Sequence, residues 1–128
     1  MYNQDAPLVG DITASVLTYL RVLNTGITFG ARVPDAMPEP FVRVEKVDGF
    51  ATRWGEVSTV RIDVWSDSPS WAAELAQGLV QDMGSIAGRA TLNIYRTESL
   101  GGPSVTLDNY QPDKTRMRFT TTALVRGE

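Results

Sequence analysis

Carboxylates are the groups in this chain best suited to chemistry. Asp63 and Asp67 fall near the end of one extended run, and Glu45 lies in another. Brought together they would form a carboxylate pair fit for acid–base work or for a hard metal ion. A structural account competes with that one. If Glu45 and Asp63 lie on the outer face of a sheet, Arg43 and Arg61 stand ready to pair with them, and no reactive carboxylate is left. The second account is the simpler, and it is the expectation carried forward.

The rest of the chemical inventory is thin. The 128 residues contain no histidine and no cysteine. Serine–histidine triads, histidine bases, thiol nucleophiles, disulfides and most zinc or iron sites therefore have no material to work with. There is no G-x-G-x-x-G, and Gly101-Gly102-Pro103 lacks the lysine and the following helix of a phosphate-cradling loop. No acidic ladder of the EF-hand kind appears. The expectation is a protein without catalytic residues, metal or cofactor.

Charge narrows the partners. A net charge of −3 is too small to argue for nucleic acid or a membrane surface. The distribution is uneven, because Lys114, Arg116, Arg118 and Arg126 face only Glu128 in the last fifteen residues. That segment is +3 and the remaining chain −6. A basic terminal strand on an acidic body favours head-to-tail self-association, unless intramolecular pairs absorb it. Ten of the twelve basic residues are arginine, the type enriched at protein interfaces. No lysine or arginine precedes Arg21, as a signal peptide would require, and no run approaches a membrane span. A cytoplasmic site of synthesis and assembly follows as an expectation.

These groups must be positioned by a small set of elements. Leu8, Ile12, Val16, Tyr19, Leu20 and Leu23 recur at helical spacing, which predicts a helix from about Asp5 to Leu23. A short extended stretch follows from Ile27 to Val33, and Pro34, Pro38 and Pro40 then forbid regular structure. Phe41–Val47 and Val57–Trp65 alternate as strands of an antiparallel hairpin, joined by an arm from Asp48 to Glu56. Ser68-Pro69 opens a second helix with the stripe Ala72, Leu75, Ala76, Leu79, Met83 and Ile86. Gly78 and Gly84 within it point to close packing, and Gly88 reads as its stop. Thr91–Thr97 and Thr115–Val125 are further strands, separated by a long loop over 99–113. The order α-β-β-β-α-β-β, with one apolar stripe per helix, predicts a single α+β domain over residues 1–128. Its sheet is largely antiparallel, of four or five strands, with both helices on one face.

Two excursions exceed what a compact domain needs for connection, the arm 48–56 and the loop 99–113. Such segments are more often functional than idle. They carry Phe50, Arg53 and Trp54 in the one and Tyr110 in the other. With Arg116 and Arg118 on the outer face of the last strand, these six are the candidate contact residues.

The same order of elements, with several local phrases, resembles the tail terminator proteins of long-tailed bacteriophages. The phrases are the Asp11-Ile12 helix ending in Tyr19-Leu20, Arg32-Val33-Pro34 and Pro40-Phe41-Val42-Arg43-Val44-Glu45. With them go Val60-Arg61-Ile62-Asp63-Val64-Trp65, Ala72-Ala73-Glu74-Leu75-Ala76, the Gly101-Gly102-Pro103 loop and Phe119-Thr120. They span nearly the whole chain. The resemblance implies a virion protein of the tail and neck that forms a homo-oligomeric ring, typically a hexamer. Such a ring caps the head-proximal end of the tail tube, stops its polymerisation and meets a head-completion or neck protein, without catalysis. Two alternatives stand beside it: another connector or stopper of the neck, and a small carboxylate-dependent enzyme.

Overall fold

The computed structural model describes residues 12–53, 55–87, 94–106 and 114–126. Its elements run α1 (Ile12–Leu23), β1 (Thr28–Gly30), β2 (Phe41–Thr52), β3 (Gly55–Ser66), α2 (Pro69–Gly84), β4 (Ile94–Thr106) and β5 (Thr115–Arg126). The strands form one five-stranded sheet in the order β1-β2-β3-β5-β4. Among the described residues only the β1–β2 pairing is parallel. This is the α+β architecture and element order that the periodicities predict.

Each helix is delimited by its own residues. The Asn24 amide and side chain both donate to the Leu20 carbonyl, at 2.9 and 3.0 Å, and Gly26 at φ +87° turns the chain back toward β1. Ser68 caps α2 by accepting from the Trp71 amide at 3.2 Å, with Pro69 in the first turn. The helix ends at Gly84 on a Ser85 cap. The helix therefore stops before Gly88, contrary to expectation, because the Ser85 amide and hydroxyl take up carbonyls of its last turn. Gly88 itself and the start of the first helix, residues 5–11, lie outside the described residues.

Both helices cover the same face of the sheet. Val42 and Val44 on β2 align with Val64 and Ile62 on β3, which align in turn with Met117 and Phe119 on β5. All six are buried in one cluster with Ile12, Val16 and Leu20 of α1 and Ala72, Leu75 and Leu79 of α2. Each Val, Leu, Ile, Met or Phe side chain among them is worth about 1.5–3 kcal/mol when fully buried.

Three further expectations are corrected. The hairpin arm is not a loop: β2 and β3 pair as far as Thr52 and Gly55, where the Thr52 hydroxyl accepts from the Gly55 amide at 3.1 Å. A bulge between Lys46 and Asp48 lets the strand run on past Asp48-Gly49. The first half of the 99–113 loop is likewise strand, because β4 reaches Thr106, with irregular pairing around Gly101 and Ser104. An edge strand tolerates Pro103 because the missing amide costs no ladder bond. Gly78 and Gly84, finally, do not serve close packing, since a Cβ on either would meet nothing within 4 Å.

Candidate functional site

The sheet face away from the helices carries a compact ionic cluster. It is built by alternation, with Phe41, Arg43 and Glu45 from β2, Arg61, Asp63 and Trp65 from β3, and Arg116 and Arg118 from β5. Asp63 is the centre. Its carboxylate is fully buried and accepts from Arg118 at 2.7 Å, Arg43 at 2.8 Å and Arg116 at 3.3 Å. Burial alone would push the Asp63 carboxyl up. The hydrogen bonds from Arg118 and Arg43, with the charge and hydrogen bond of Arg116, outweigh it and hold the group below the ordinary aspartate range.

Trp65 lies beside it, also fully buried. Its ring is 6.0 Å from that of Phe41, and the guanidinium carbons of Arg116 and Arg43 stand 4.9 and 5.5 Å from its centroid. Cations over an indole face are favourable, so the ring and the carboxylate share the arginines. Arg61 completes the row by pairing with Glu45 at 2.8 Å. Four guanidiniums against two carboxylates leave the cluster itself with a surplus of two positive charges.

A second ionic knot closes the same end of the sheet. Glu39 accepts from Ser66 at 2.6 Å, from the Asp67 amide at 3.1 Å and from Lys114 at 2.9 Å, and Lys114 also reaches Asp67 at 2.9 Å. Burial raises the Glu39 carboxyl, but the Ser66 and Lys114 hydrogen bonds prevail and lower it. The Glu39 hydrogen bond raises Lys114, against the opposing effect of burial and with further support from Asp67. The proline-rich segment is thereby tied to the start of β5.

The carboxylates thus follow the structural account. Glu45, Asp63 and Asp67 each bind a cation of the chain, and Glu45 and Asp63 are bridged by the Arg43 guanidinium rather than paired with each other. Among the described residues no group of three His, Cys, Asp or Glu side chains is arranged to hold a metal ion. A carboxylate held ionised by three arginines is a poor proton donor or acceptor near neutral pH.

The six candidate contact residues separate. Arg116 and Arg118 meet on Asp63. Phe50, 61 % exposed, and the exposed Arg53 lie at the hairpin end of the sheet, roughly 25 Å away along the strands. Trp54 and Tyr110 lie outside the described residues. Sequence reasoning missed Phe41 and Trp65 as members of the cluster. The signal was present as aromatic and charged residues two apart on β2 and β3. It also missed Leu100 and Val105, exposed at 58 and 74 % on β4, because that segment read as loop.

No protein-family model matches the chain, and no curated protein matches it in sequence. Its fold does have counterparts, since seventeen chains of solved structures match it. One is a chain from the structure of the virion of a native gene transfer agent particle. The likeness covers 95 % of this chain and 99 % of that one, at a TM-score of 0.68 and 18 % identity. The two share a fold over essentially their whole lengths.

Proposed function

We propose that the protein is a non-enzymatic structural subunit of a phage-like particle, and within it the tail terminator. As such it forms a homo-oligomeric ring of six copies, caps the head-proximal end of the tail tube, stops its polymerisation and joins it to a neck protein. The observation that carries the reading is the end-to-end fold likeness to a chain of a gene transfer agent virion. The terminator-like phrases of the sequence narrow it from virion protein to tail and neck. The absence of any histidine or cysteine, and carboxylates committed to arginine and lysine, agree with a role in assembly.

A ring subunit offers each neighbour a different surface, a heterologous contact that closes by rotation. The hairpin end, with Phe50 and Arg53, provides one such surface, and Trp54 and Tyr110 are further contact residues of the same reading. Arg116 and Arg118 act through the cationic face they build rather than as free side chains.

The test is tube growth in vitro. Purified protein added to polymerising tail tubes should halt elongation and leave a ring visible at one end by electron microscopy. Tubes that elongate unchanged at saturating protein would defeat the terminator reading. The double variant Arg53→Ala, Trp54→Ala should stay folded and lose capping.

A further inference from the structure

Among the described residues the sheet has two open edges, and they match each other. Among the described residues, β1 covers β2 only from Phe41 to Arg43, which leaves the edge from Val44 to Ala51 without a strand beside it. At the other side β4 is the last strand. Exposed edges of this length template further pairing unless something covers them. Both carry exposed apolar side chains, Val47 and Phe50 on one and Leu100 and Val105 on the other.

Strand direction makes the two edges complementary. From β2 through β3 and β5 to β4 every pairing is antiparallel. Those four strands alternate, so β4 runs opposite to β2. A second copy set edge to edge in the same orientation therefore continues the alternation, with its β4 antiparallel to the first copy's β2.

Height along the strands agrees as well. Following the cross-strand partners, Phe50 lies level with Val57, Leu124 and Arg96, and Glu45 lies level with Arg61, Thr120 and Gly101. The open part of β2 thus stands at the height of β4 residues 96–101. Beyond that, β1 occupies the space next to Arg43, which is level with Ser104. That is where the pairing of β4 breaks, between Gly101 and Ser104, and where Gly102 at φ +86° packs against the Arg118 carbonyl. The strand leaves its straight course at the level where β1 would obstruct it.

We propose that copies of this chain join through β2 of one and β4 of the next, forming a continuous antiparallel sheet across each subunit boundary. The inference rests on the ring reading and deepens it by naming the joint. In direct register the Phe50 ring and the Arg96 guanidinium come to lie opposite each other on the same sheet face, a favourable pair.

The absence of cysteine makes disulfide trapping clean. Directly opposed residues of an antiparallel pair have Cα atoms about 4.5–5.5 Å apart, within disulfide reach. Asp48→Cys or Phe50→Cys is combined with Arg96→Cys or Glu98→Cys, four pairs covering the direct register and slides of two residues. Native mass measurement of the unsubstituted protein runs in parallel. The expected result is a multimer ladder on oxidation of at least one double variant, with dimers and nothing larger when the two single variants are mixed. A ring-sized native mass without any cross-linked ladder would overturn the edge joint and leave the ring reading standing. Strong dimers from Phe50→Cys alone would also overturn it, in favour of a two-fold β2–β2 contact. A monomeric mass at high concentration with no cross-linking would overturn both.

Discussion

Replacing Asp63 with asparagine keeps the volume of the side chain and removes its charge, so the outcome reads the ionic cluster without opening a cavity. Three guanidiniums are left around a neutral amide, and those of Arg116 and Arg43 belong to side chains only 8 and 12 % exposed. Breaking a buried pair by removing one partner costs about 3–5 kcal/mol, because the remaining charge stays desolvated. Arg118 is 28 % exposed and can recover some hydration, which places the cost near the lower end, about 3 kcal/mol. That is a large share of the 5–15 kcal/mol that holds a typical domain. At about 4 °C per kcal/mol for a chain of this size, the melting midpoint should fall by roughly 12 °C. Urea titration and thermal melts followed by circular dichroism measure it. Arg118→Ala is the control, since Asp63 keeps Arg43 and Arg116, and it should cost about 1.5 kcal/mol, the loss of one hydrogen bond to a charged group. An Asp63→Asn variant within about 1 kcal/mol of the parent, or an Arg118→Ala variant that loses as much as Asp63→Asn, would refute the reasoning.

Acid should weaken the fold in a defined window. Asp63 is depressed in the folded state, so its contribution is present above the unfolded aspartate value near pH 4 and drains away as pH falls toward the folded value. Urea midpoints between pH 6 and pH 2 should show this slope in the parent and a shallower one in Asp63→Asn. Gly102→Ala should destabilise by about 2 kcal/mol in the same titration, because φ is +86° and the new Cβ would run into the Arg118 carbonyl and the Phe119 Cα. Gly78→Ala should do the opposite and add up to about 1 kcal/mol, since the helix gains alanine propensity and the Cβ meets nothing. Ser68→Ala should remove about 1 kcal/mol by freeing the Trp71 amide at the start of α2.

Strict alternation makes the two faces of the central strands legible in the sequence itself. Val60, Ile62 and Val64 went inward, and Arg43–Asp63 and Arg61–Glu45 paired outside, because a period of two leaves no other assignment. The ends of strands were less legible. Asp48-Gly49 and Gly101-Gly102-Pro103 have the composition of turns, yet each lies on the margin of the sheet, where a bulge or a missing amide is tolerated. Glycine within α2 read as a packing device and proved to be an exposed weakness, since composition cannot tell which side of a helix is covered. The convergence of three arginines on one aspartate depends on β5 lying beside β3. That adjacency is set by tertiary pairing between residues more than fifty positions apart, and no local pattern announces it.

The same cluster also polices strand alignment. A slip of one residue along β3 would exchange its two faces. Asp63 and Trp65 would then point at Leu79 and its neighbours, while Ile62 and Val64 would be thrust among guanidiniums. The misaligned sheet would hold an unpaired carboxylate in apolar surroundings, at a cost of several kcal/mol, and would forfeit the burial of two aliphatic side chains as well. A sheet with one wet face is penalised for such an error on one side only. Here the penalty falls on both, which widens the free-energy gap between the native alignment of β3 and its one-residue slips.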